Sequence, residues 1–123
     1  MTRKLLFIVF TDEPCRRNHA LMYALDLTEQ GHEVRLLIEG LATGAFQELA
    51  DRDSAFARLF AEAMTRGLVV GACRKACSGC ASDDPSRQVT ELAAAQGVAL
   101  LDGMDGHASI QAFVREGYEL VVF

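Results

Sequence analysis

Five short apolar runs recur along the chain, and each is separated from the next by a longer stretch whose apolar residues fall at helical spacing. The runs are LLFIVF at 5–10, VRLLI at 34–38, LVVGA at 68–72, VALL at 98–101 and YELVVF at 118–123. The first is unbroken and rich in β-formers, which predicts a strand buried on both faces. A first helix opens at Thr11, Asp12 and Pro14, carries Leu21, Ala24 and Leu25 on one stripe, and stops at Gly31. Residues 39–53 read as loop, with a short helical turn near Phe46 and Leu49. A second helix places Phe56, Leu59, Phe60, Ala63 and Met64 at i, i+3, i+4, i+7 and i+8 and stops at Gly67. Asp84 and Pro85 open a third, with Val89 and Leu92 on its apolar face, and Gly97 closes it. The last runs from Ala108 to Glu116, with Ile110, Phe113 and Val114 facing inward.

Strands alternating with helices demand a parallel sheet with helices on both faces. Crossovers between parallel strands are right-handed almost without exception. The 123 residues form one core's worth of chain, with no internal repeat or linker. The expected architecture is therefore a single three-layer α/β/α domain over residues 1–123, with a five-stranded, mainly parallel sheet.

Charge narrows the partners. Lys plus Arg number 12 against 17 Asp plus Glu, a net charge of −5. A nucleic-acid backbone or an anionic membrane surface calls for a basic patch, so neither is expected as a direct partner. The longest apolar run has six residues, too few to span a bilayer and short for a signal-peptide core. The expected location is the cytoplasm, where clustered thiols serve catalysis, redox exchange or metals more often than structural disulfides.

Three of the four cysteines, Cys73, Cys77 and Cys80, fall within eight residues. In an open parallel sheet every loop that follows a strand lands on one edge, the edge where ligands sit. That rule brings together Asp12, Cys15 and His19 after the first strand, Glu39 after the second, the cysteine cluster with Arg74 and Lys75 after the third, and Asp102, Asp105 and His107 after the fourth. His32 falls at the opposite edge as a solvated turn residue. Cys73 directly follows a buried strand. Arg74, Lys75 and a helical start at this point would lower its pKa and favour the nucleophilic thiolate.

Were 73–80 helical, offsets of four and seven would put three sulfurs on one face, able to pass a sulfur atom or oxidising equivalents between them. Cys77-Ser-Gly-Cys80 also has the spacing of a redox disulfide. A third possibility is zinc on Cys73, Cys77 and Cys80, with Cys15, His19 or His107 completing the set. The Cys-x3-Cys-x2-Cys spacing also fits three thiolate ligands of an iron–sulfur cluster. Cys15 and His19, at i and i+4 on one helix, can face the same way, and His107 is a helix cap or a site residue.

Taken together, KLLFIVF, ALMYALDLTEQGHEVRLLIEG, VVGAC and YELVVF resemble the DsrE/DsrF-like family, which includes TusD-like sulfur-carrier subunits used in tRNA thiolation and sulfur oxidation. The resemblance covers nearly the whole chain. It implies a three-layer α/β/α fold, a homo-oligomer such as a trimer or hexamer, sulfur donor and acceptor proteins as partners, and a persulfide on the cysteine after the third strand. Cys73 occupies that position. Cys15, Cys77 and Cys80 are extra relative to the family's single carrier cysteine. The leading expectation is thus a persulfide carrier or sulfurtransferase that uses Cys73, with Cys77 and Cys80 as further thiols, Arg74, Lys75, Cys15, His19 and His107 in support, and no cofactor. The alternatives are a zinc or iron–sulfur protein and an oligomeric binding module without chemistry of its own.

Overall fold

A computed structural model of the chain describes residues 1–79 and 88–123. Five strands form one sheet: β1 (Lys4–Val9), β2 (Glu33–Ile38), β3 (Val69–Cys73), β4 (Leu100–Leu101) and β5 (Glu119–Val122). Their order is β4-β3-β2-β1-β5, and every neighbouring pair is parallel. The chain steps from β1 to β4 in one direction and then returns to the far side of β1. With right-handed crossovers, that reversal sends the last connection to the opposite face.

The two faces separate by the two-residue period of a strand. Leu5, Phe7 and Val9 of β1 and Val34, Leu36 and Ile38 of β2 share one face. Against it pack Ala20, Leu21 and Ala24 of α1 (Pro14–Glu29), and Phe56, Phe60 and Ala63 of α2 (Ala55–Thr65). Phe46 joins them from a 3-10 helix (Gly40–Glu48). Val89 and Ala93 complete this main core at the start of α4 (Thr90–Ala95). Full burial of one such Leu or Phe is worth about 1.5–3 kcal/mol. The opposite face is thinner. Leu6, Ile8 and Leu37 meet Cys73, Ala76 and Ala108 there, with Ile110, Phe113 and Tyr118 partly buried around α5 (Gln111–Arg115).

The five strands and the three layers agree with the sequence pattern, and several boundaries differ. Glu13, rather than Thr11 or Asp12, caps α1: its carboxylate accepts the amides of Cys15 and Arg16, and Pro14 takes the first helical position. The expected loop after β2 holds the nine-residue 3-10 helix. The last helix is shorter than predicted: Met104 and His107 pair in an isolated antiparallel bridge, and the helix starts only at Gln111, with Ile110 as its N-cap. Val114 and Leu92, placed inward by periodicity, are exposed, since helices of five and six residues bury only a narrow stripe. The predicted start at Asp84 and Pro85 lies outside the described residues.

Candidate functional site

Cys73 is the last residue of β3 and the N-cap of a single helical turn, α3 (Arg74–Cys77). Its side chain is fully covered, and Sγ lies 3.8 Å from Nδ1 of His107. The nearby backbone of Ala76 and Ala108 favours its thiolate. Burial acts the other way and prevails. The nearby Glu39 carboxylate adds to it, and the Cys73 pKa stands above the ordinary thiol value. Cys77 is buried too. Loss of solvent, followed by the nearby Cys73 and Glu39, pushes its thiol from the usual 9.0 up to about 12, and Arg74 offsets little of this. Both are free thiols that are protonated near neutral pH.

Glu39 reaches this site because it directly follows β2 at the edge where Cys73 ends β3. Its backbone amide extends the ladder to Val9 O at 2.8 Å, and Oε1 accepts the Gly40 amide at 2.9 Å to cap the 3-10 helix. Buried Thr43 then donates to Gly40 O at 2.9 Å, with Ala76 O 3.4 Å away, tying the 3-10 helix to α3. The site is a closed cradle: one thiol, one imidazole, one carboxylate and the backbone of Ala76 and Ala108, built from the ends of β2 and β3 and from the segment between β4 and α5.

Arg74 and Lys75 do not act as activators of Cys73. Arg74 Nε donates to Asp102 Oδ2 at 3.1 Å, so its charge is spent on the exposed rim. The Lys75 amide donates to Gly106 O at 3.1 Å, and its methylenes lie over the open face of Gly106. Neither cation meets the sulfur, and the raised Cys73 pKa is the opposite of the expected depression.

Among the described residues the helix that a three-sulfur face requires is cut short. The helix is one turn long, and Gly79 turns away with φ +83°. Cys73 belongs to the thin-face core and Cys77 to the main core, so the two buried sulfurs lie in different packing layers. Cys80 lies outside the described residues.

Cys15 and His19 make a separate pair at the exposed start of α1. Cys15 Sγ is 3.6 Å from His19 Nδ1, which is also 2.7 Å from the Cys15 carbonyl. They follow β1, and β2 stands between β1 and β3, about 10 Å of sheet at a strand spacing near 4.8 Å. The edge rule therefore places them correctly at the strand C-termini without joining them to Cys73. Among the described residues no three Cys, His, Asp or Glu side chains group as ligands for a metal ion. His32 serves the opposite edge, where Nδ1 accepts the Arg3 amide at 3.1 Å.

Over 43 residues the chain is 42% identical to an uncharacterized protein of Archaeoglobus fulgidus, a match that covers 35% of this chain and 70% of that protein. The chain belongs to that protein's family. No family model and no solved structure matches it. The family thus brings no activity with it, and the chemistry rests on the residues themselves.

Two residues outside the sequence-based site carry weight. Glu39 was legible as a strand-end residue on the ligand edge, but nothing in its neighbours shows that it meets a thiol. Arg17 gave no signal. It is buried in α1, pairs with Glu48 at 3.1 Å and lies with its guanidinium 4.6 Å from the Phe56 ring centre. Glu48 in turn accepts the Ser54 hydroxyl, the N-cap of α2. This network fixes the 3-10 helix that aims Glu39.

Proposed function

We propose that the chain handles sulfur at Cys73, as a persulfide carrier or sulfurtransferase of the DsrE/DsrF-like kind. The observation that carries the reading is the surroundings of one sulfur: Cys73 Sγ has an imidazole nitrogen 3.8 Å away, at the C-terminal end of a buried strand, and the nearby backbone of Ala76 and Ala108 favours its anion. A charge that forms there meets preorganised donors. In the resting state the proton stays on the thiol because burial and Glu39 hold it there.

Transfer begins when the Cys73 proton passes to His107. The thiolate attacks the terminal sulfur of a donor persulfide, R–S–SH. The donor S–S bond breaks as the new Sγ–S bond forms, and the donor leaves as R–S⁻ and takes up the proton held by His107. Electrons balance without an outside oxidant, since one sulfane sulfur has moved between two thiols. The reverse step at a second thiol, on an acceptor protein or at Cys77 or Cys80, returns Cys73 to its resting form. Donor and acceptor proteins are the partners of this reading, in the reducing cytoplasm and without a direct nucleic-acid contact. Assembly as a homo-oligomer has support in the thin face, where Val114, Leu120 and Val122 stay exposed.

The test is intact-protein mass spectrometry after incubation with a low-molecular-weight persulfide, in a Cys15→Ser background that removes the exposed thiol. The expected product gains about 32 Da per sulfur. Cys73→Ser abolishes the gain, and His107→Gln slows it by about a hundredfold or more, as loss of a proton-transfer partner does. A gain that persists in Cys73→Ser overturns the reading.

A further inference from the structure

Cys73 is sealed, yet a reagent must reach it, and the residues that seal it can be named. His107 and Ala108 bring the segment between β4 and α5 over the sulfur. That segment, residues 102–108, is fastened at three points, all to the two residues that follow Cys73. Arg74 Nε bonds Asp102 Oδ2 at 3.1 Å. The Lys75 amide bonds Gly106 O at 3.1 Å. The Lys75 stem lies so close over Gly106 that a Cβ there would come within 2.6 Å of its Cε. Within the segment, Met104 and His107 exchange backbone bonds at 2.8 and 2.9 Å, and Asp105 and Gly106 both take positive φ, so 104–107 is a tight loop that moves as a unit.

We infer that Arg74 and Lys75 are positioning residues: they clamp this loop over Cys73 and set how often the thiol opens to solvent. The loop that shields the thiol also carries its imidazole, so opening exposes Cys73 and withdraws His107 in one motion. Reclosing around a bound donor restores the proton partner and excludes water. The clamp acts as an entrance to the thiol rather than as an activating charge. The Arg74–Asp102 pair is half-exposed, at 49% and 58%, so it is a weak fastener open to screening by salt.

The inference deepens the sulfur-handling reading, because a donor must pass the same cover, but its test involves no sulfur transfer and can fail separately. Alkylation by iodoacetamide is followed peptide by peptide. Trypsin releases Cys73 in residues 67–74 (67–75 in Arg74→Ala), away from Cys77, and releases Cys15 in residues 5–16, which serves as the internal exposed standard. Arg74→Ala and Asp102→Ala should each speed Cys73 alkylation by about two- to fivefold, and the double variant by no more than either, as expected of one exposed ion pair. Arg74→Lys should keep most of the wild-type protection. Raising NaCl from low to molar concentration should speed the wild type and leave Arg74→Ala unchanged. Cys15 alkylation should not change in any of these. Unchanged Cys73 rates in both single variants, or strictly additive effects in the double, overturn the clamp. A parallel rise at Cys15, which global loosening would cause, overturns it too.

Discussion

The chemistry of a thiol follows from what surrounds it, and the two buried cysteines differ in that respect. Cys73 has both opposing influences: burial and Glu39 hold the proton, while the nearby backbone and the imidazole stand ready for the anion. Cys77 has burial, the Glu39 carboxylate and, once ionised, Cys73 holding its proton, with only Arg74 against them. This gives a pH signature with a definite sign. A thiol whose folded pKa exceeds its unfolded one keeps its proton longer when folded, so its contribution is complete below pH 9 and is lost as pH rises toward 12. Unfolding free energy should therefore fall with pH from about 9 upward, measured by urea melts from pH 8 to 10.5. Cys77→Ala should cost about 1–2 kcal/mol at pH 7 and flatten that decline. An equally steep decline in Cys77→Ala would remove Cys77 as its source.

At the scale of elements, the site depends on one irregular strand. β3 shifts register against β2, where Leu36 pairs with Val69 but Leu37 with Gly71, which leaves Val70 as a bulge. Gly71 sits there with φ +149°, and a Cβ on it would lie 2.5 Å from the Ala99 carbonyl. Only glycine lets β4 approach β3 this closely, and β4 launches the loop that covers Cys73. Gly71→Ala should destabilise the fold by about 3 kcal/mol in chemical denaturation and also unmask Cys73 to alkylation. A near-neutral effect would mean that the strand edge adapts freely. The strands were legible because apolar runs with β-formers leave few alternatives, and the caps and stops at Pro14, Gly31, Gly67 and Gly97 followed from backbone chemistry. The 3-10 helix and the Met104–His107 bridge were not legible: the first is closed by the Glu39 cap and by Thr43, whose hydroxyl also lies 3.4 Å from Ala76 O, and the second is held by the Lys75 clamp.

For the whole molecule, parallel topology carried the candidate site furthest. Knowing that each strand's C-terminal loop shares one edge was enough to put Cys15, His19, Glu39, Cys73, Cys77 and His107 there. Sheet order decided the rest. With β2 between β1 and β3, Cys15 and His19 form their own exposed pair, while Glu39 from β2 and His107 from beyond β4, the two neighbours of β3, close on Cys73. No sequence spacing encodes that order, which arises from the reversal that sends β5 to the far side of β1. Nor did the sequence reveal that Arg74 would turn to Asp102, since adjacency in the chain does not say where a long side chain points. Among the described residues no helix is long and apolar enough to cross a membrane.

The account rests on sulfur arriving at one particular buried thiol in preference to an exposed one. Peptide mapping of the wild-type protein after brief exposure to a persulfide donor reads this directly, after trapping and tryptic digestion. The account predicts the added sulfur, about 32 Da, on the 67–74 peptide that ends just after Cys73. Added sulfur confined to the 5–16 peptide that holds Cys15, with 67–74 unmodified, would contradict it.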